Sequence, residues 1–152
     1  MDKREQKEIN SRLGKVLVDE EKSVYFPRGL IGMERVKRFV LLQIRTDSPF
    51  YVLQNLENSR LGLLVADPFA FIQDYQIRLG KTEERVLQLA RSSDLAIMVT
   101  VSIPTGSPEK AVLNLTGPVV INTAKRIGMQ VPQNNSGEKT RIVLSDLEEL
   151  QR

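Results

Sequence analysis

Short β-rich runs, each stopped within a few residues by proline, glycine or clustered charge, constrain this chain more than any other feature. Residues 39–44, Phe39-Val40-Leu41-Leu42-Gln43-Ile44, form a nearly continuous apolar run, the pattern of a strand buried on both faces. Residues 50–54 and 62–66 repeat the pattern, and the second halts at Asp67-Pro68. Residues 95–103 are dense in β-branched side chains, which suit a pleated, half-buried surface, and predict a long central strand. Further strands are expected over 12–18, 23–26, 76–79, 112–116, 119–123, 126–131 and 140–144, with Gly117-Pro118 breaking two of them apart. Helical spacing is convincing once, over 81–91. There Thr82 is placed to cap, Glu83 and Glu84 suit the positive end, and Val86, Leu87, Leu89 and Ala90 make an apolar face. One helical turn is expected at 34–37. Ser145-Asp146-Leu147-Glu148 reads as a capping box opening a short terminal helix. Many short strands around one mid-chain helix predict a mainly β, compact barrel-like single domain. Its expected parts are a polar N-terminal tail over 1–12, frayed or briefly helical, the barrel over 13–131, and a C-terminal extension with a short helix over 132–152.

Composition removes whole classes of function. The chain has 152 residues, enough to bury roughly two-thirds of the surface its unfolded form exposes without crosslinks. It has no cysteine, so disulfides and thiolate–metal sites are excluded. It has no histidine, which removes the usual general base, the usual triad partner and the commonest zinc ligand. No phosphate-cradling glycine motif and no EF-hand spacing is present, so no cofactor or metal is expected. The first residues are charged throughout and carry no apolar signal core, and no run approaches the roughly 20 apolar residues of a membrane helix. Hence a cytoplasmic protein is expected, with no membrane partner.

The net charge is +3, from 22 basic and 19 acidic residues. That excess is small for a nucleic-acid binder. Arg35, Lys37, Arg38 and Arg45 cluster around the 39–44 run, and Arg12, Lys15 and Lys22 near the first strand. Tyr25, Tyr51 and Tyr75 could stack on bases, yet tryptophan and an RNP-like motif are missing. A solvated basic face, with no direct nucleic-acid binding, is the reading carried forward.

Four stretches carry the candidate sites. Phe26-Pro27-Arg28-Gly29-Leu30-Ile31-Gly32-Met33-Glu34 puts a fixed φ at proline beside two permissive glycines, so a strand must end there in a tight turn. Ser48-Pro49-Phe50-Tyr51-Val52-Leu53-Gln54 opens a strand. In Asp67-Pro68-Phe69 the carboxylate can accept backbone N–H groups in a turn that proline pre-sets. This is either a structural corner or a rigid rim presenting Phe69 or Phe71 to a partner, since aromatic anchors tend to carry interface energy. Asn122, ending Val119-Val120-Ile121, either hydrogen-bonds a turn, sharing a network with Asn114, or meets an added strand. Asp67 with Asp74, and Glu34 with either, are the acidic candidates for a pair that could do acid–base work. Turn positions usually solvate such acids, and no enzyme is expected.

In this order and spacing, these stretches together with Asn114-Leu115-Thr116-Gly117-Pro118-Val119-Val120-Ile121-Asn122 resemble the FliW family of bacterial flagellar assembly factors, over about residues 13–131. The resemblance implies a compact β-barrel-like fold and a cytosolic binding protein, not an enzyme. It implies two partners, flagellin and the RNA-binding translational repressor CsrA, whose grip on flagellin mRNA such proteins lower. A flagellin-binding chaperone alone, or a β-barrel that binds RNA, are the alternatives. The candidate partner-binding residues are Asp67, Phe69, Phe71, Tyr51, Gln54 and Asn122. Many relatives are acidic, whereas this chain is net positive. Gln73 stands where relatives often have proline.

Overall fold

In the computed structural model, which describes residues 6–134 and 140–146, the apolar alternation sorts side chains onto the two faces of one curved sheet. Ten strands are present among the described residues: β1 (Gln6–Ser11), β2 (Gly14–Asp19), β3 (Val24–Tyr25), β4 (Arg38–Gln43), β5 (Phe50–Asn55), β6 (Gly62–Ala66), β7 (Leu95–Ser102), β8 (Val112–Asn122), β9 (Ile127–Gln130) and β10 (Arg141–Val143). The main sheet runs β10-β8-β7-β6-β5-β4-β3-β9, and β9 pairs back onto β8. The strands from β8 round to β9 therefore close a ring, and β10 lies beside it. All pairings are antiparallel except β3 with β9, which meet in parallel at Tyr25 and Ile127. The expected barrel-like, mainly β fold is what forms.

Inside the ring, Val24, Phe26, Leu30, Phe39, Leu53, Val65, Met98, Val119 and Ile121 form the core. Phe26 and Phe39 meet edge to face with centroids 5.4 Å apart, a favoured aromatic geometry. Gly128 makes room for this pair, since a Cβ there would stand 2.5 Å from the Phe26 ring.

The outer face of the sheet is covered in three places. The β1–β2 hairpin lays Ile9 and Val18 on Val40 of β4. The helix α1 (Lys81–Val86) and its C-terminal Leu87 pack against Val120 and Met129. The segment after β6 brings Tyr75 and Phe71 onto Ala66, Val99, Leu113 and Leu115, with Ile142 of β10. Thus Phe39 and Val40 are buried on opposite faces, as the continuous run 39–44 predicts.

Several local expectations change. Residues 6–11, expected within a polar tail, are a strand. Ile9 supplies its apolar anchor, and the pairing with β2 supplies its backbone bonds. Residues 34–37 are a turn and not helical. Residues 76–79 form no strand. Their backbone is satisfied differently: Gln133 accepts from the Arg78 N–H (2.7 Å) and donates to the Arg78 carbonyl (3.1 Å). The helix expected over 81–91 ends at Val86, and Gln88 takes a left-handed φ of 50°. Its N-cap is Gly80, not Thr82. The two strands expected either side of Gly117-Pro118 are one, β8. Its ladder with β7 still jumps there, from Asn114 opposite Thr100 to Val119 opposite Met98, so the chain bends without leaving the sheet. Residues 144–146 are helical, and the remainder of the expected terminal helix lies outside the described residues.

Candidate partner-binding surface

The Asp67-Pro68-Phe69 corner is built from its own residues. The Asp67 carboxylate accepts the Phe69 N–H at 3.0 Å and caps a 3-10 turn over Pro68–Ala70, whose first residue is the proline. Such a cap satisfies a donor that the turn itself leaves free. The Pro68 carbonyl accepts from Phe71 and Ile72, and the Asp67 N–H donates to Pro49 at 2.9 Å, tying the corner to the start of β5. On this backbone Phe69 is 45% exposed, its ring centroid 6.2 Å from Tyr75.

Tyr75 is the buried floor of the corner. Its hydroxyl donates to the Leu115 carbonyl at 2.6 Å, and burial pushes its phenol up from 10.0 to about 12. Phe71 turns inward, half-buried and 5.7 Å from Phe50, among the residues that cover the outer sheet. The two phenylalanines therefore differ: Phe69 is offered to solvent, and Phe71 is packing.

Of the other candidates, Tyr51 is half-buried with its ring against the interior core. Gln54 is fully buried. Its Nε2 stands 3.1–3.3 Å from the carbonyls of Asn55, Asn58, Ser59 and Leu61, and its Oε1 accepts the Arg12 N–H at 2.9 Å. Asn122, 2% exposed, donates to the carbonyls of Leu87 and Gln88 at the end of α1 and accepts from Ala124 and Lys125. Both amides are consumed inside the fold, which corrects their placement on a partner surface. Asn114 does not share the Asn122 network; it bonds across to Thr100 and Ser102 of β7.

The carboxylates do not assemble into a pair. Asp67 is occupied by its cap, and Asp74 is exposed. Glu34 stands just before β4, whose Phe39 end meets the Asn55 end of β5, whereas Asp67 is tied to the opposite end. The N–H of Glu34 itself and that of Gly32 hold its carboxyl below the ordinary value. Among the described residues no group of three or more acids could hold a metal ion. No helix among them is long and apolar enough to cross a membrane.

The surface feature that sequence reasoning missed is Ile31, 61% exposed at the tip of the glycine turn. Gly29 takes a φ of 63° there, and a Cβ on it would meet the Glu34 backbone at 2.5 Å, so the turn admits only glycine at that position. The paired glycines were the available signal. They marked the turn but not which side chain it would present.

The family described as FliW protein matches residues 7–144, wider than the stretch over which the motifs were read. A flagellar assembly factor FliW of Nitratidesulfovibrio vulgaris (strain DP4) is 53% identical over 129 residues, covering 85% of this chain and 75% of that protein. One from Desulfovibrio desulfuricans is 47% identical over 132 residues, covering 86% and 80%. A crystal structure of the flagellar assembly factor FliW superposes with a TM-score of 0.82 at 32% identity, covering 91% of this chain and 96% of that one.

Proposed function

Because the chain belongs to the FliW family, we propose that it is a cytoplasmic flagellar assembly factor that captures flagellin and antagonises the repressor CsrA. In this reading it is a binding protein and not an enzyme. Flagellin that accumulates occupies it and leaves CsrA free to stop translation; export of flagellin releases it again. The coupling is reciprocal: if the protein weakens the grip of CsrA on RNA, RNA weakens its grip on CsrA by the same factor.

The observation that supports flagellin capture is Phe69, an exposed aromatic on a backbone held by Asp67 and Pro68. A rigid aromatic loses little freedom when it enters a pocket, so more of its burial appears as affinity. Calorimetry with export-competent flagellin is expected to give a Kd of roughly 1 μM or tighter. Phe69→Ala should weaken it by about 2 kcal/mol or more, with little change in melting temperature because the ring is half in solvent. Phe71→Ala should instead lower stability by about 2–3 kcal/mol, somewhat less than a fully buried phenylalanine. No heat and no co-elution with wild-type protein would sink flagellin capture.

A further inference from the structure

Six of the chain's 22 basic residues lie in the segments around β3. Arg38 stands opposite Tyr25 in the β3–β4 ladder, and Arg126 gives its carbonyl to the Tyr25 N–H at 3.0 Å. Lys37 gives its carbonyl to Phe26, and its Nζ donates to the Pro27 carbonyl at 2.9 Å. Arg35 lines a shallow groove with Lys37 and Arg38, Arg28 lies in the glycine turn, and Lys125 precedes Arg126. Without these six cations a chain of net +3 would be net negative. Among the described residues none of the six enters an ion pair; the pairs present are Lys7–Glu20 and Arg91–Asp94. Of the two nearby acids, Glu57 is turned onto the Asn55 amide, and Glu34, which accepts the Gly32 N–H, keeps an electrostatic interaction with Lys37.

Two exposed apolar side chains flank β9, Tyr25 opposite Ile127 at its start and Ile31 tied to Gln130 at its end. Tyr25 is 49% exposed and Ile31 is 61% exposed. Ile31 is held in place: its N–H donates to Gln130 Oε1 at 3.0 Å, Gln130 Nε2 donates to the Gly117 carbonyl, and neighbouring Leu30 is buried in the core. Exposed apolar side chains along a stretch rich in cations outside any salt bridge are the complement of an acidic protein surface with apolar contacts.

We propose that this face docks such an acidic protein surface, with Tyr25 and Ile31 as the apolar contacts and the surrounding guanidinium groups gripping carboxylates, for which their planar forks are suited. A protein fits better than RNA. Ile31 presents no stacking plane, so one tyrosine would serve a strand that needs successive aromatics. The face is distinct from the Phe69 corner: Arg38 belongs to the end of β4 that meets Asn55, whereas Asp67 is tied to the opposite end of β5.

The test is titration of the full chain, followed by backbone amide shifts, with a synthetic peptide alternating glutamate and leucine. Polyuridylate is the nucleic-acid arm. Peptide-induced shifts are expected to be confined to residues 22–38 and 123–131. Arg38→Glu with Arg126→Glu should weaken the peptide by about tenfold or more and flatten its salt dependence, because exposed charges act within a Debye length. Ile31→Ser should weaken it while leaving the salt dependence in place. Melting curves keep the variants interpretable, since all three residues are exposed. Shifts scattered over the surface, or affinity untouched by the charge reversal, overturn the proposal. Polyuridylate held more tightly than the peptide, and lost in the same variant, overturns it in favour of a nucleic-acid face. Neither flagellin nor CsrA takes part, so failure here and failure of the proposed function are separate results.

Discussion

Gln54 shows how a single amide can organise a loop. Its nitrogen faces four backbone carbonyls of residues 55–61, and its oxygen takes the Arg12 N–H. Asn55 completes the loop by accepting from Glu57 and Asn58 and donating to the Arg38 carbonyl. The arrangement requires a donor at Nε2, so the isosteric acid is the sharp test. Gln54→Glu places a carboxylate against carbonyl oxygens, which repel it. The variant should lose about 2–4 kcal/mol at neutral pH, the range for a buried group left uncompensated. That environment raises the folded pKa of the new carboxyl above its unfolded value of about 4.3. The variant's stability is then fully present below that value and is lost as pH rises through the folded pKa. Denaturant unfolding at acidic and neutral pH checks this; equal stability to wild type at neutral pH would show that the amide does not hold the loop. From the sequence Gln54 was a candidate contact as part of the stretch 48–54 that carries the family resemblance. A polar residue at a strand end looks the same whether it faces solvent or a ring of carbonyls.

At the scale of elements, the segment between β6 and α1 differs most from expectation. Residues 76–79 have the alternation of a strand but find no partner strand; the Gln133 side chain bonds the Arg78 backbone in its place. The segment is held down instead by Tyr75, buried over β8 and bonded to Leu115. Burial raises the phenol from 10.0 to about 12, so the fold holds the neutral form. That contribution to stability is whole below pH 10, where neither state ionises. It declines as pH rises above 10, because the unfolded chain ionises first, and is lost by about pH 12. Tyr75→Phe should cost about 1 kcal/mol at neutral pH, since the Leu115 carbonyl loses its donor. It should also lack the decline that wild type shows between pH 10 and 12. Parallel alkaline denaturation curves for the two proteins would refute a buried, hydrogen-bonded Tyr75.

Across the whole molecule, closure of the ring sets two surfaces apart. The Phe69 corner and the Tyr25–Ile31 face sit at opposite ends of β5, joined by paired strands over one core. The protein's net charge of +3 makes general repulsion of RNA a poor explanation for antagonism of CsrA. The proposed antagonism is therefore expected to be allosteric and only partly charge-driven, with the protein favouring one state of CsrA over another. CsrA–RNA affinity, measured with and without saturating protein, should fall by a similar factor at low and at moderate salt. A factor that collapses towards one at moderate salt would mean that exposed acids such as Glu20 and Glu21 drive it, because screening acts over about 8–10 Å near physiological ionic strength. No fall at any salt would leave the chaperone reading alone.

By itself the sequence determined the β-rich class, most strand positions, the glycine turn, the Asp67 corner, the absence of cysteine and histidine chemistry, and the resemblance to a family. These are local properties: period, propensity and φ are set within a few residues. Tertiary structure alone decided what each outer face of the sheet meets. Polar-looking residues 6–11 became a strand because β2 and Val40 were there to receive Ile9. Gln54 and Asn122 went inside because loop and helix carbonyls converged on them, while Phe69 and Phe71, two residues apart, parted between solvent and core. Such outcomes depend on contacts between residues distant in sequence, and the pattern of one stretch carries no record of its partner.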